Sequence, residues 1–241
     1  MPSALDHLLF VVLALLFPIR AGLFGYRKLR LAAPEDVPTV RRKLYRGVIV
    51  TQWSLVVLTL VLWISQSRFL SSLGLGLTLG WPFVVGVVVA VVAWFALRRQ
   101  RDALSRDPEG LARVRTRLAH IERMLPRTTE DRRWFDRVSV TAGVCEEVLY
   151  RGYVMWYLGH WMGPLAALFA AALVFGWSHV YQGLRGILTT GVAGLLLGVM
   201  YLATGSLFVG MALHAIIDSH SGRLAHTAYA GEAAPPEAAP A

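Results

Sequence analysis

Apolar runs about 20 residues long recur along most of this chain, and runs of that length match the hydrocarbon thickness of a bilayer. With 56% hydrophobic and 16% charged residues, the chain is also too apolar for an ordinary soluble domain. The sequence therefore predicts an all-α, polytopic membrane helix bundle with about seven transmembrane helices. Their approximate bounds are 4–24, 47–65, 73–97, 138–158, 162–181, 187–204 and 206–219.

Composition along the chain refines this prediction. Pro82 interrupts the third run, and the last two runs are short for a full crossing, as tilted or shielded helices are. Beyond residue 223 the chain becomes rich in Ala, Pro and Glu, which is typical of disorder. We therefore expect one membrane domain over residues 1–222, with its polar motifs in 138–219, and a disordered tail over 223–241.

The polar stretch 98–137 is too rich in Arg to lie in lipid. Apolar residues recur within it at helical spacing, namely Leu111, Val114, Leu118, Ile121 and Leu125. This pattern predicts an amphipathic helix at the membrane surface. A solvated helix that covers the loops is the alternative.

Basic residues predict the orientation in the membrane. Two loops, about 26–46 and 98–137, carry seven and twelve Lys or Arg, whereas the loop between the second and third runs carries only Arg68. The positive-inside rule places both basic loops in the cytoplasm, the N-terminus outside and the C-terminus inside. The Arg-rich composition favours a bacterial inner (plasma) membrane. These loops account for the net charge of +9, and no nucleic-acid-binding motif accompanies it, so nucleic acid is not an expected partner.

Ionisable residues interrupt the apolar runs of the C-terminal part of the chain in three short clusters. They are Cys145-Glu146-Glu147-Val148-Leu149-Tyr150-Arg151, Phe175-Gly176-Trp177-Ser178-His179 and His214-Ala215-Ile216-Ile217-Asp218. Such groups are costly in hydrocarbon, so they usually face one another inside a protein and take part in chemistry or transport. The clusters therefore predict a buried polar site built from three helices.

Helical spacing assigns roles within the first cluster. Glu147 and Arg151 are four residues apart with the acid first, which favours an ion pair on one helix face. Glu146 points about 100° away from Glu147 around a helix, so it remains free to face the other two clusters.

The same spacing pairs side chains in the other two clusters. His214 lies beside Asp218, where the two can act together on a substrate, a water or a metal. Phe175 lies beside His179, so we expect the phenyl ring to shape the pocket that the imidazole enters. A purely stabilising polar network between helices is the alternative.

The three motifs, Glu-Glu-x-x-x-Arg, Phe-x-x-x-His and His-x-x-x-Asp in this order, resemble those of the CPBP family. This is the type II CAAX prenyl endopeptidase and bacteriocin-processing (Abi) group of intramembrane proteases. The resemblance covers about 138–219. It implies a helical membrane bundle with a cavity open to the membrane and the cytosol, and a peptide or lipidated-protein substrate such as a prenylated CAAX protein.

The resemblance also implies roles for individual residues. Glu146 matches the family's essential glutamate, which together with His179 activates a water for attack on a peptide carbonyl. His214 and Asp218 match the pair that stabilises the oxyanion. Eukaryotic members carry asparagine at the last position, and an ionised Asp218 cannot donate a hydrogen bond. Asp218 must therefore be protonated, orient His214 or bind a metal.

Metal dependence is left open by the sequence. Two histidines and a carboxylate suffice for a catalytic zinc with one open position, or for another divalent metal. The ligand candidates are His179, His214, Asp218 and Glu146. The chain lacks a His-Glu-x-x-His signature, and the resemblance is equally compatible with a glutamate and a water alone.

Two other functions fit the same residues. A proton-coupled transporter would relay protons through Glu146, His179 and Asp218. A catalytically silent membrane partner, such as an immunity or scaffold protein, would need none of them for chemistry.

Overall fold

A computed structural model describes residues 1–20 and 25–229, and every regular element in these ranges is helical, which confirms the predicted all-α class. The helices are α1 (Ala4–Val11), α2 (Phe17–Arg20), α3 (Arg27–Arg30), α4 (Val37–Ser65), α5 (Trp81–Leu104), α6 (Pro108–Leu118), α7 (Thr129–Glu146), α8 (Met155–Trp177), α9 (Gly183–Thr204) and α10 (Phe208–Tyr229). The π-helical segments Val12–Leu16 and Glu147–Val154 link α1 to α2 and α7 to α8. Short 3₁₀ turns lie at Leu70–Leu73, Ala119–Met124 and Val180–Gln182.

Four helical runs within the described residues are long and apolar enough to cross a membrane. They are Val37–Ser65, Trp81–Leu104, Thr129–Trp177 and Val180–Thr204. Gly163 breaks the third run with non-helical torsions, φ 75° and ψ 168°, directly before Pro164. That run therefore comprises two helices, which correspond to the predicted spans 138–158 and 162–181. The runs agree with an integral membrane protein, while the count of seven spans stays a prediction. Residues 21–24 of the predicted first span lie outside the described residues.

Several helix bounds differ from the predicted ones. Pro82 lies in the first turn of α5, where its missing N–H costs no helical hydrogen bond, so it begins the helix rather than interrupting it. Helices α9 and α10 have 22 residues each. At 1.5 Å per residue each helix is about 33 Å long, so both helices extend beyond the predicted spans 187–204 and 206–219. Helix α10 continues to Tyr229, so the prediction of disorder was also wrong for 223–229. The remainder of that predicted tail, 230–241, lies outside the described residues.

Helix α10 extends this far because its last turns pack against α6. Leu125, Ala225, Ala228 and Tyr229 form a small buried cluster, onto which apolar side chains of the α6 region pack. These side chains are Leu111, Val114, Leu118 and Ile121. An amphipathic helix is therefore present within 98–137, but it ends at Leu118, so Ile121 lies in the 3₁₀ turn and Leu125 follows it. Its apolar face is used against the protein, as expected for a helix that covers other parts of the chain.

Two glycines let the motif-bearing helices approach closely. A Cβ atom on Gly143 of α7 would lie 2.8 Å from both the Ala215 Cβ and the Met211 carbonyl oxygen of α10. A Cβ atom on Gly176 of α8 would lie 2.6 Å from the Ile187 carbonyl oxygen of α9. Small residues at such positions allow helix backbones in membranes to pack against each other. The contact at Gly143 brings the first and third polar clusters together.

A second buried polar cluster ties α1 to the end of α4. Asp6 has no exposed surface and accepts hydrogen bonds from Arg68 Nη1 and Nη2 at 2.8 and 2.7 Å. The Arg68 guanidinium also stacks over Trp63 and Trp156, with its Cζ atom 5.1 and 4.4 Å from the ring centroids. Tyr153 donates a hydrogen bond of 2.7 Å to the Asp6 carbonyl oxygen. The first helix is thereby anchored to α4 and to the π segment that follows α7.

We expect Asp6→Ala to lower the free energy of unfolding by about 2 kcal/mol, because the charged Arg68 loses its acceptor. Denaturant unfolding of the purified protein measures this difference. Glu35→Ala, which removes an exposed acid, is the control and should leave stability unchanged. Equal stability of the two variants would contradict the anchoring role.

Candidate active site

The first polar cluster lies where α7 widens into a π-helical segment. Helix α7 ends at Glu146, and the π segment begins at Glu147 and continues to Val154. Single π turns within helices occur frequently at functional sites. Both carboxylates are buried, at 8% and 0% exposure of their residues, so each needs polar partners inside the protein. The partners of the two glutamates differ in charge and number.

Glu147 is held by two basic side chains. Its Oε1 atom lies 2.9 Å from Arg151 Nη1, so the predicted ion pair is present. The same oxygen accepts a 2.8 Å hydrogen bond from His214 Nδ1. Arg151 is buried and its Cζ atom lies 4.1 Å from the centroid of the Phe175 ring. Gly210 leaves room for this carboxylate, because a Cβ atom there would lie 3.2 Å from Glu147 Oε2.

His214 lies between three carboxylates. Because Glu147 accepts at Nδ1, the opposite ring atom, Nε2, is left for the other two carboxylates. Nε2 lies 3.8 Å from Glu146 Oε2 and 3.7 Å from Asp218 Oδ2. The sequence allowed Asp218 to orient His214, but the ring is held by the hydrogen bond that its Nδ1 atom donates to Glu147. The Asp218 side chain is 38% exposed and lies at the outer edge of this group.

His179 follows the end of α8 and is linked to the third cluster through Phe175. Its Nδ1 atom lies 3.0 Å from the Phe175 carbonyl oxygen and 3.1 Å from Ser178 Oγ. A carbonyl only accepts, so Nδ1 carries the hydrogen and Nε2 holds the lone pair of the neutral ring. The Phe175 ring centroid lies 4.9 Å from that of His179 and 6.1 Å from that of His214. The phenyl ring therefore contacts the imidazole of its own cluster, as the spacing predicted.

The structure brings His214 next to Glu146, Glu147 and Asp218, but it does not bring His179 into the same hydrogen-bonded group. Within the described residues, His179 makes no hydrogen bond or ion pair with Glu146. Its polar partners are those of its own chain segment, Phe175 and Ser178.

One residue of the site was not predicted from the sequence. Gln52 of α4 is 3% exposed, and its Nε2 atom donates a 2.7 Å hydrogen bond to Glu146 Oε1. A lone amide inside the apolar run 47–65 is the signal that would have revealed it. A buried amide, like a charged group in hydrocarbon, is costly unless it has a hydrogen-bond partner.

A catalytic zinc needs about three protein ligands that converge on one point. His214 uses Nδ1 for Glu147, and its Nε2 atom approaches the Glu146 and Asp218 carboxylates only to 3.8 and 3.7 Å. In the part of the chain that the structure describes, no three His, Cys, Asp or Glu side chains are grouped so that they could hold an ion. The four candidate ligands therefore do not form a preassembled metal site in the part of the chain that the structure describes.

Comparison with known proteins gives a match to a family model over the motif-bearing region and a match to a relative over about a third of the chain. Residues 133–220, less than half of the chain, match the family model described as "Type II CAAX prenyl endopeptidase Rce1-like". The "Uncharacterized protein YpbD" of Bacillus subtilis (strain 168) is 42% identical over 82 residues, which are 34% of this chain and 40% of that protein. The match therefore spans less than half of the relative's length. No solved structure matches the chain.

Proposed function

Because residues 133–220 match the Rce1-like family model of type II CAAX prenyl endopeptidases, we propose that this protein is an intramembrane endopeptidase. It would hydrolyse a peptide bond near the cytoplasmic surface of a bacterial inner membrane, with its N-terminus outside and its C-terminus in the cytoplasm. The four long apolar helices support the membrane setting, and the basic loops support the orientation.

The difference between the two buried glutamates carries the catalytic part of the proposal. Glu147 is engaged by Arg151 and His214, so its charge is balanced within the protein. Among the described residues, Glu146 receives a hydrogen bond only from the neutral amide of Gln52, and its Oε2 atom remains available 3.8 Å from His214 Nε2. A carboxylate with one restrained and one available oxygen suits a general base.

In the proposed reaction Glu146 Oε2 takes a proton from a water as the water oxygen bonds to the carbonyl carbon of the peptide. His179 Nε2 orients the water. When the C–N bond breaks, Glu146 returns the proton to the leaving amine. The same carboxylate therefore takes the proton from the water and gives it to the leaving amine.

His214 is the proposed donor to the oxyanion. In its protonated form the ring donates from Nδ1 to Glu147 and from Nε2 to the oxygen that becomes negative. Asp218, 3.7 Å from Nε2, would stabilise the positive charge of the ring. An ionised Asp218 then needs no hydrogen of its own, which accounts for an aspartate where eukaryotic relatives carry asparagine.

An apolar groove between α5 and α10 supports a membrane-associated substrate. It is lined by Phe83, Val87, Ala90, Val91, Trp94, Phe208, Val209, Ala212 and Ile216. Helix α10 also carries His214 and Asp218, so a hydrocarbon chain in the groove would lie along the helix that presents these residues. We therefore propose a peptide with a C-terminal CAAX-type lipid as the first substrate to test.

Cleavage by the purified protein in lipid vesicles tests the proposal. The panel contains quenched fluorogenic peptides with and without a farnesylated C-terminus, and Glu146→Gln is the matched inactive control. We expect wild-type protein to cleave at least one peptide and the variant to cleave that peptide about 10³-fold more slowly. Wild-type protein that cleaves nothing, but takes up protons along a substrate gradient, would instead indicate a transporter. Wild-type protein inert in both assays would indicate a silent partner protein.

Removal of metal is expected to leave cleavage unchanged, because the described side chains offer no group of three ligands. Initial rates are compared before and after incubation with 1,10-phenanthroline, with the vesicles and peptide held constant. A loss of cleavage that added zinc restores would contradict the glutamate-and-water version of the mechanism. The ligand candidates would then be His179, His214, Asp218 and Glu146.

A further inference from the structure

Helix α4 lies outside the region that matches the protease family, yet it contributes a side chain to the site. Gln52 is 3% exposed on this helix, and its Nε2 atom donates to Glu146 Oε1 at 2.7 Å. Its own carbonyl oxygen, Oε1, is buried and has no hydrogen-bond partner among the described residues. A buried acceptor without a donor destabilises a fold. The amide is therefore better explained by its contact with Glu146 than by packing of α4.

The orientation of this amide follows from charge. If the two ends of the amide were exchanged, the Gln52 carbonyl oxygen would face the Glu146 carboxylate, and two acceptors would repel each other. Only the orientation with Nε2 toward Glu146 forms a hydrogen bond. The amide therefore restrains one carboxylate oxygen and leaves the other available.

Glu146 and Glu147 differ in the charge of the side chains that contact them. Glu147 is paired with the Arg151 cation, which balances its negative charge. A neutral amide donor restrains Glu146 Oε1 without placing a cation on that oxygen, so Oε2 keeps its capacity to take a proton.

We propose that Gln52 is the positioning residue for the general base. It holds Glu146 Oε1 so that Oε2 stays beside His214 Nε2, where the water and the peptide carbonyl must meet. This inference rests on the proposed endopeptidase function, and it extends the site to a helix outside the three motifs. Gln52 acts through Glu146 and does not itself contact the reacting atoms.

Steady-state kinetics of Gln52→Leu test this role with the peptide that wild-type protein cleaves best. Without its restraint Glu146 samples other rotamers, so we expect kcat to fall about 10- to 100-fold, the usual cost of a misplaced catalytic group. KM should stay unchanged, because Gln52 does not contact the substrate. In a Glu146→Gln background, Gln52→Leu should cause no further loss, since residues that act as a unit are not additive.

Thr59→Val is the matched control. Thr59 is also buried on α4, but within the described ranges its hydroxyl donates only to the Leu55 carbonyl oxygen of the same helix. This variant should keep wild-type kcat and KM. A thermal unfolding scan of each variant identifies any loss of rate that comes from unfolding.

The possible outcomes separate the two proposals. Wild-type kcat in Gln52→Leu, together with an inactive Glu146→Gln, would overturn the role of Gln52 and leave the protease intact. An equal fall in kcat for Thr59→Val would also overturn it, since the effect would then come from packing of α4. Wild-type protein that cleaves no peptide would overturn the proposed function and this inference with it.

Discussion

Replacing Glu146 with glutamine is expected to lower kcat by about 10³-fold, within the range that a positioned general base contributes. An amide has nearly the same shape as the carboxylate, but it cannot take a proton from water. Its carbonyl oxygen can still accept the hydrogen bond from Gln52 Nε2, so the fold should be preserved. Single-turnover cleavage of the best peptide in vesicles measures the chemical step directly.

This prediction needs evidence that the variant is folded. The unfolding midpoint of Glu146→Gln should match wild type, because neither polar partner of the side chain is left unpaired. A folded variant with more than a tenth of the wild-type rate would show that another group acts as the base. The available Nε2 lone pair of His179 would then be the first alternative.

Replacing Glu147 with leucine is expected to lower the free energy of unfolding by about 3–5 kcal/mol, the usual cost of removing one partner of a buried ion pair. Arg151 is 2% exposed and would be left as an uncompensated cation next to the Phe175 ring. His214 would also lose the acceptor of its Nδ1 atom. Denaturant unfolding in detergent measures the change.

Two controls make the origin of this loss clear. Glu130→Ala removes one partner of the exposed ion pair with Arg42 and should change stability by less than about 1 kcal/mol. Adding Arg151→Met to Glu147→Leu removes the unpaired cation and should restore part of the lost stability. If the double variant is no more stable than Glu147→Leu alone, the buried charge is not the cause of the loss.

Local patterns predicted the contacts that lie within one helix. The four-residue spacing correctly placed Arg151 beside Glu147, His179 beside Phe175, and Asp218 beside His214. Such contacts depend mainly on the helical repeat, which is a property of the chain itself. The contact between Glu147 and Arg151 is present even though Glu147 begins a π-helical segment, which the sequence pattern did not predict.

Contacts between helices were not predicted, because they depend on how each helix is rotated and where it crosses its neighbours. Gln52 reaches Glu146 from a helix 94 residues away, and His214 reaches Glu147 from 67 residues away. Glycines such as Gly143, where the backbones of two helices come close because no Cβ atom lies between them, help to determine these rotations. The same reason explains why the last turns of α10, predicted to be disordered, are helical where α6 covers them.

The sequence by itself determined the membrane class and the helices, because the length of an apolar run is a property of a single segment. It also determined most of the residues that must be buried together, because the cost of a polar group in hydrocarbon is likewise a property of its own segment. Only the tertiary structure decided which glutamate is neutralised and which is left available. That outcome depends on the cation and the amide that neighbouring turns and helices bring to each carboxylate. Arg151 and His214 engage Glu147, whereas Gln52 restrains Glu146 through one oxygen and leaves the other beside the site.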